Sequence, residues 1–348
     1  MSKYLYLWAY LIPFVSFISI ISVGYLTYLA PFVIFIILPS LELLLPKAET
    51  NFSKEDEVKA LNSRFYDVLV YSMLPIQLGL VILFCYQIHT HDYSVIEYIG
   101  LILSLGMSCG VIGINIGHEL GHRVNRSEQL MAKILLATSW YSHFFTEHNK
   151  GHHRYVSTPK DPASASLNQV LYLFWFQSIW GSFISAVDFE NKRLAKKSSS
   201  FILQNEVYRW KLYEILGTIT LGVIFGYKAA LMFMGAALVG ALLLECVNYI
   251  EHYGLRRKLL DNGRYEKVTP GHSWNSNHIV GRIVLFDLSR HSDHHANANR
   301  KYQILRNFGD ESPHLPTGYP GMILLSLIPP LWFKVMNKQV KKWELKKV

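Results

Sequence analysis

Long apolar runs dominate the first half of the chain. Residues 4–28 and 29–45 carry a single charged side chain, Glu42, between them. Roughly 20 apolar residues are needed for a helix to cross a bilayer, so the two runs predict a helical hairpin that turns near Pro31. Four later runs extend the pattern. The six predicted transmembrane helices are 4–28, 29–45, 67–88, 95–117, 211–227 and 229–250; a count of four or five stays open, because 29–45 is short and 211–227 contains three glycines.

Two shorter runs, 171–187 and 318–336, are rich in aromatic residues and flanked by basic ones. That composition is typical of helices lying at the membrane interface. These runs interrupt the polar segments 118–210 and 251–348, which therefore do not predict independent domains. The predicted fold is an all-α integral membrane protein, a single domain over residues 1–348, with six transmembrane helices and a His-rich cytoplasmic cap containing interfacial helices.

Composition agrees with a membrane protein, because 51% of the residues are hydrophobic and only 17% are charged. Lys and Arg are concentrated in 47–66, 118–211 and 253–348, so the positive-inside rule predicts that both termini are cytoplasmic. The first apolar run is too long for a signal-peptide core and predicts a retained helix. The net charge of +9 favours contact with anionic lipid or with an acidic partner protein. We expect no nucleic-acid partner.

The chain has three cysteines, Cys85, Cys109 and Cys246, and each lies alone in an apolar run. Single cysteines in such runs predict buried thiols rather than disulfides or metal ligands.

Histidines are unevenly distributed. Four of the fifteen are isolated, namely His89, His91, His143 and His314. The other eleven fall in five groups on the predicted cytoplasmic side. In "HELGH" the i, i+4 spacing places both imidazoles on one helical face, where they can bind one metal. The eleven clustered histidines are His118 and His122; His148, His152 and His153; His252; His272 and His278; and His291, His294 and His295.

Three clusters with this spacing indicate a metal site. A zinc site needs three or four ligands, so eight or more converging imidazoles exceed the needs of one zinc ion and favour two metals. Neutral imidazole binds iron, copper, nickel or zinc, and the residue types alone do not choose among them. "HELGH" by itself also fits a zinc protease helix with Glu119 as general base.

Several longer blocks add to the histidine pattern. These are "NIGHELGHR", "EHNKGHHRYVSTPKDPASA", "NYIEHYGLRR", "HSWNSNHIV", "LSRHSDHHANANRKYQILR" and "LPTGYPG", in this order. Together they resemble the membrane alkane 1-monooxygenase (alkane omega-hydroxylase) family, within the His-box integral-membrane di-iron group that includes fatty-acid desaturases. The resemblance runs from about residue 4 to about residue 336. Departures at Ile116, Arg123, Gly271 and Ser289 remove no ligand that the resemblance implies.

The resemblance implies nine metal ligands, which also serve as the catalytic residues: His118, His122, His148, His152, His153, His252, His291, His294 and His295. Other polar residues of the same blocks become candidates to orient the ligand imidazoles, because metal-bound histidines usually donate their second N–H. These candidates are Glu119, Glu147, Asp161, Glu251, Asp293, His272 and His278; for the carboxylates the competing interpretation is pairing with Arg123, Arg154 or Arg290.

The resemblance further implies an activity and partners. Two iron ions would activate O2 and hydroxylate the terminal methyl of medium- or long-chain n-alkanes to primary alcohols, in a bacterial-type inner membrane. Two electrons would come from rubredoxin, itself reduced by an NAD(P)H-dependent reductase, because the chain lacks paired CxxC motifs and a dinucleotide fingerprint.

Other functions stay open on the sequence. A His-box desaturase or an aryl-methyl (xylene-type) monooxygenase would use the same iron chemistry. An intramembrane zinc protease would need "HELGH" alone. A metal transporter would place polar residues at midplane depth in several helices, whereas these histidines gather at one face.

Overall fold

The computed structural model describes residues 2–196 and 202–346, and within these residues it is helical, with isolated β-bridges but no strand. The all-α prediction is confirmed. The longer helices are α1 Lys3–Ile21, α2 Gly24–Leu44, α3 Lys54–Leu61, α4 Arg64–Thr90, α5 Val95–Gly121, α6 Arg126–Ala137, α7 144–155, α8 Leu171–Ala195, α9 Glu206–Phe225, α10 Tyr227–His252, α11 Ile279–Val284, α12 His291–Ala296, α13 Tyr319–Ser326 and α14 Pro329–Lys346.

In the part of the chain that the structure describes, three helices contain π-helical segments. In such a segment the backbone hydrogen bonds join residues five positions apart instead of four. The three segments are Val33–Ile37 in α2, Cys109–Ile114 in α5 and His148–His152 in α7. Such segments are frequent at functional sites, and two of these three lie within or just before a histidine cluster.

Among residues 2–196 and 202–346, five helices are long and apolar enough to cross a membrane: α1, α2, α4, α5 and α10. The protein is thus a multi-pass membrane protein, while the predicted count of six is not reproduced. The remaining predicted crossing, 211–227, lies mostly in α9, whose first half carries Glu206, Arg209, Lys211 and Glu214.

The predicted hairpin turn near Pro31 is wrong. The chain turns at Ser22 and Val23, and Gly24 adopts a φ of +63° that side chains disfavour. Pro31 lies inside α2, early in an α-helical stretch where its missing N–H costs little.

The chain divides into two compact units. Unit 1 comprises Met1–Ile37, Ser63–Asn149 and Phe183–Leu244. Unit 2 comprises Leu38–Asn62, Lys150–Ser182 and Glu245–Val348. Each unit contains part of the clustered histidines.

The core of unit 1 is a bundle of apolar side chains from the membrane helices, including Phe84, Leu101, Leu105 and Phe233. The α5 helix starts at a capping box in which Ser94 and Glu97 satisfy each other's backbone N–H groups. Glu97 also accepts a 2.6 Å hydrogen bond from the backbone of Gly24, which ties the α1–α2 turn to the start of α5. Cys85, Cys109 and Cys246 are free and buried, as predicted.

The predicted interfacial run 171–187 forms part of α8, and the run 318–336, which lies in unit 2, is divided between α13 and α14. Pro329 and Pro330 account for the break, since proline cannot continue a helix from the preceding turn. The α14 helix buries one face, made of Trp332, Met336, Val340 and Trp343.

Candidate metal centre

Unit 1 brings three histidines together. The Nε2 atoms of His118 and His122 are 3.2 Å apart, as the i, i+4 spacing predicts. The Nε2 of His148 lies 2.7 Å from that of His118 and 3.1 Å from that of His122. Phe144 stacks on the His148 ring at a centroid distance of 4.6 Å and limits its rotation. Three nitrogens thus converge on one point.

His118 lies in the last turn of α5 and His122 is the residue that follows the helix, whose end packs tightly against α6. A Cβ added at Gly117 would lie 2.9 Å from Leu136 Cγ and 3.1 Å from the carbonyl of Ala132, so only glycine permits this approach. Between the two histidines, Glu119 accepts hydrogen bonds of 2.7 and 3.0 Å from Arg123. Arg123 also contacts Asp67 at 3.0 Å. Glu119 thus forms a buried ion pair with Arg123.

Unit 2 contains a second convergence, made of His152, His252, His291 and His295. Each of these side chains is at most 5% exposed. The Nε2 atoms of His152 and His295 are 3.2 Å apart, as are those of His291 and His252. Burial, followed by the neighbouring imidazoles, lowers the pKa of His295 well below its usual value. The ring is therefore neutral, which is the form that binds metals.

Asp161 orients one ring of this group. Its Oδ2 lies 2.9 Å from His152 Nδ1 and accepts a 2.5 Å hydrogen bond from Ser164. Burial opposes ionisation of Asp161, but the His152 imidazole and the Ser164 hydroxyl outweigh it and hold the carboxyl pKa below its usual value. A carboxylate on Nδ1 fixes the tautomer that leaves Nε2 available to a metal.

A histidine pair also lies in unit 2, where His153 Nε2 is 3.1 Å from His294 Nε2. The pair joins helix α7 to helix α12. Helices α7 and α12 together carry six of the nine histidines implied by the resemblance: His148, His152, His153, His291, His294 and His295.

Helix α12 is only six residues long and is held at both ends by charged side chains. Arg290, just before it, donates to the carbonyls of Leu305, Ala48 and Thr50 at 2.6 to 3.0 Å. Asp293 accepts from the Asn297 amide, the Arg300 guanidinium and the backbone of Arg306 at 2.7 to 3.2 Å. Asp293 therefore secures the chain after the helix.

Glu251 and Tyr319 form a buried pair beside His291. Tyr319 donates a 2.6 Å hydrogen bond to Glu251 Oε1, and Glu251 Oε2 lies 3.0 Å from His291 Nε2. This is the ring nitrogen that also faces His252. Burial and the adjacent carboxylate raise the pKa of Tyr319 well above its usual value, so Tyr319 stays protonated and can donate.

The other candidate histidines make contacts of their own. His272 Nδ1 accepts from the backbone of Thr269 at 3.0 Å, and its Nε2 lies 3.1 Å from Glu266. His278 contacts Ser276 at 3.0 Å, and burial, helped by Lys47 and His314, lowers its pKa to about 4.

The histidines that look isolated in sequence lie outside the groups described above. His89 contacts the carbonyl of Phe225 at 3.0 Å, and His314 contacts that of Gly309 at 3.0 Å. His143 is buried between the rings of Tyr141 and Phe183, where burial and the charge of Lys211 lower its pKa well below the usual value.

The donor set suits a transition metal. One ring nitrogen from each of His152, His252, His291 and His295 lies within 4.8 Å of the other three. Metal–nitrogen bonds of about 2.1 Å place neighbouring donors about 3 Å apart and opposite donors about 4.2 Å apart. The measured separations of 3.2 Å match the first value, so a single ion fits among these rings.

Sequence reasoning missed Tyr319 and Phe144. Tyr319 lies in "LPTGYPG", a block that carried the resemblance without an assigned role. A tyrosine between a glycine and a proline gives no chemical signal in sequence, and only its contact with Glu251 reveals a role.

Comparison with known proteins identifies the family. Residues 96–324 match the family model described as fatty acid desaturase. The chain is 42% identical to alkane 1-monooxygenase 2 of Alcanivorax borkumensis, over 99% of this chain and 92% of the relative. It is 41% identical to alkane 1-monooxygenase of Ectopseudomonas oleovorans, over 88% and 76%. The xylene/toluene monooxygenase hydroxylase component of Pseudomonas putida is 28% identical, over 87% and 80%. The chain therefore belongs to the alkane 1-monooxygenase family, within the His-box group that the fatty acid desaturase family describes.

Proposed function

We propose that this protein is an alkane 1-monooxygenase, which converts the terminal methyl of medium- and long-chain n-alkanes to a primary alcohol with O2 as co-substrate. The names of its relatives support the proposal, since identity is 42% to an alkane 1-monooxygenase and 28% to an aryl-methyl one. The observation that carries it is the convergence of buried imidazole nitrogens, a donor set suited to redox metals.

We further propose that two iron ions bind to the protein and that their ligands are all histidine. Bound iron supplies the redox chemistry that O2 activation needs, because a saturated alkane offers no charge, dipole or acidic proton for acid–base catalysis. The ligands proposed are His118, His122, His148, His152, His153, His252, His291, His294 and His295.

The chain's own contribution is to position these rings and to keep water away. Asp161 holds His152 in one tautomer, and Arg290 with Asp293 holds α12 in place. The unit 2 rings are nearly inaccessible to solvent, which strengthens electrostatic interactions and limits side reactions. Terminal selectivity then has to come from shape, because terminal C–H bonds are stronger than internal ones.

The electron donor is proposed to be rubredoxin with its NAD(P)H-dependent reductase. Support comes from the sequence, which has no CxxC pairs or dinucleotide fingerprint of its own. Basic residues that suit an acidic carrier include Lys150, Arg154, Lys160, Arg256 and Arg257.

We propose the bacterial inner membrane as the location, with both termini in the cytoplasm. The distribution of Lys and Arg supports this orientation. Reporter fusions after residues 160 and 300 should both give cytoplasmic signals, and a periplasmic signal from either would overturn it.

The deciding experiment is reconstitution. Purified protein is supplied with rubredoxin, its reductase, a reduced nicotinamide cofactor, and a panel of linear alkanes, xylenes and fatty acyl substrates. Products are identified by gas chromatography and mass spectrometry. We expect 1-alcohols from alkanes. Alkenes from acyl chains would indicate a desaturase, and oxidation of xylenes alone would indicate an aryl-methyl monooxygenase.

A further inference from the structure

A buried polar cluster lies within the membrane bundle of unit 1. Polar side chains inside a bilayer are costly, so they tend to mark function or a specific packing requirement. Every member of the cluster is at most 6% exposed. We call it the Gln77 cluster, and it consists of Gln77, Ser108, Cys109, Thr138 and Ser139.

Gln77, on α4, uses both ends of its amide. Its Oε1 accepts a 2.5 Å hydrogen bond from Ser108 Oγ. Its Nε2 donates to Thr138 Oγ1 at 3.3 Å and to Cys109 Sγ at 3.5 Å. One side chain therefore connects α4 to α5 and to the corner that follows α6.

These contacts converge on the start of a π-helical segment. Cys109 is the first residue of Cys109–Ile114, and Ser108 precedes it directly. The Cys109 carbonyl accepts a 3.0 Å hydrogen bond from Ser139, and its thiol donates to the Thr138 carbonyl at 3.4 Å. Widening an α-helix into a π turn disturbs the regular hydrogen bonds between its backbone carbonyls and N–H groups. The Ser139 hydroxyl supplies a hydrogen bond to one of these carbonyls, that of Cys109, from outside the helix.

Close packing holds the same segment on other sides. A Cβ added at Gly113 would lie 2.7 Å from Thr138 Oγ1. A Cβ added at Gly240, on α10, would lie 2.6 Å from Cys109 Cβ and 3.1 Å from the backbone nitrogen of Gly110. The segment is therefore enclosed by α4, by the corner after α6 and by α10.

The π segment sets the direction in which the following helix presents its side chains. A π segment contains one residue more than an α-helical segment that turns through the same total angle. Each residue of an α-helix turns the chain by about 100° around the helix axis. If the segment relaxed to α-helix, His118 and His122 would turn by about that angle. They would then leave the position that places their Nε2 atoms within 3.2 Å of His148.

We propose that Gln77 is a positioning residue for the unit 1 histidines, acting through the register of the π segment. Gln77 contacts no histidine; it fixes the segment that aims them. The inference rests on the proposed metal-binding function of these histidines.

The test uses full-length protein purified in detergent with iron. Gln77→Leu removes both amide contacts at similar volume, while Gln77→Glu keeps the acceptor for Ser108. Ser104→Ala is the matched control, because Ser104 is buried on α5 ahead of the π segment and donates to the Thr27 carbonyl at 2.6 Å. Iron per chain, iron affinity and the Mössbauer spectrum are measured alongside the melting temperature.

We expect Gln77→Leu to weaken iron binding about 10-fold and to change the Mössbauer parameters of the remaining iron, as loss of a supporting contact does at other metal sites. Gln77→Glu should restore most of the affinity, and Ser104→Ala should leave the spectrum unchanged. A folded Gln77→Leu protein with wild-type iron affinity and spectrum would overturn the inference. If Gln77→Leu does not fold, Ser139→Ala takes its place, because it removes the hydrogen bond to the Cys109 carbonyl. Iron affinity and the Mössbauer spectrum are then measured on that variant, with the same outcomes for and against the inference. Absence of iron from the wild-type protein would instead refute the proposed function.

Discussion

Tyr319 donates a 2.6 Å hydrogen bond to Glu251, a carboxylate whose other oxygen lies 3.0 Å from His291 Nε2. A carboxylate that merely oriented the ring would be expected on Nδ1, as Asp161 is on His152. Glu251 instead lies on the side of the ring that faces His252. The carboxyl group of Glu251 therefore lies at the same nitrogen of His291 that faces His252.

Loss of this carboxylate should weaken metal retention. We expect Glu251→Gln to lower iron affinity at least about 10-fold, the range seen when supporting groups of metal sites are removed. Tyr319→Phe should have a smaller effect, since the carboxylate remains. Competition with a chelator measures both. Glu245→Gln is the matched control, because Glu245 is buried on the same helix and accepts from Asn248. If Glu251→Gln and Glu245→Gln lower iron affinity equally, the effect comes from general destabilisation of the helix and not from the contact with His291.

Substitution of a histidine inside one of the groups should change the metal content of the protein, whereas substitution of a histidine outside them should not. Replacing His152 or His294 by Ala should remove iron and activity together, because each ring has an imidazole neighbour within 3.2 Å. The same change at His89 or His143 should leave most of both. Elemental analysis of anaerobically purified protein should give about two irons per wild-type chain. One zinc with negligible iron would exclude the hydroxylase assignment.

Packing at Gly240 should limit stability. Gly240→Ala places a methyl group against Cys109 and the backbone of Gly110, where no flexible side chain can move aside. Overpacking of this kind costs about 1–3 kcal/mol, so the melting temperature in detergent should fall. Gly217→Ala is the comparison, because its added Cβ meets no atom within 4 Å. Similar melting temperatures for the two variants would contradict the close approach.

Electron delivery should depend on ionic strength. The net charge of +9 favours an acidic carrier, and attraction between exposed charges is screened over roughly 8 Å at physiological salt. At limiting rubredoxin, turnover should decline as salt rises, whereas at saturating rubredoxin the decline should be smaller. A flat response at limiting carrier would leave a basic docking surface unsupported.

Regioselectivity should reveal whether shape overrides bond strength. A barrier difference of about 1.4 kcal/mol changes a rate tenfold, so a few kcal/mol of steric exclusion would suffice to favour the terminal methyl. Alkanes of increasing length should give mainly 1-alcohol up to a length at which turnover stops. A statistical mixture of alcohols would refute a shaped channel. On α2, Ile34 is buried whereas its neighbour Phe32 is 51% exposed, so Ile34→Ala is the first variant to examine for an effect on the product ratio.

Local features of the site could be predicted from sequence. The i, i+4 spacing of His118 and His122 fixes their relation on any helix, and the structure places their Nε2 atoms 3.2 Å apart. Apolar runs likewise predicted the five helices that can span a membrane. The hairpin turn is not predicted correctly, because the proline at position 31 indicates a break there, whereas the backbone conformation changes at Gly24.

Longer-range features could not be predicted. His148 and His152 have the same spacing as His118 and His122, yet His148 joins the unit 1 rings and His152 joins the unit 2 rings. Partners of this kind are set by tertiary packing, which periodicity does not encode. The π segments are also invisible in sequence; Cys109, the first residue of Cys109–Ile114, is contacted by Gln77 and Ser139, which are distant along the chain.

The unit 2 histidine group has a consequence for how the protein is made. Its members lie at positions 152, 252, 291 and 295, so during synthesis from the N-terminus the group is incomplete until most of the chain has been translated. The membrane helices α1, α2, α4 and α5 all precede His152 and are available for insertion earlier. Completion of this histidine group is accordingly a late event in biogenesis, and a ribosome that stalls before residue 291 leaves a membrane-inserted product that lacks His291 and His295.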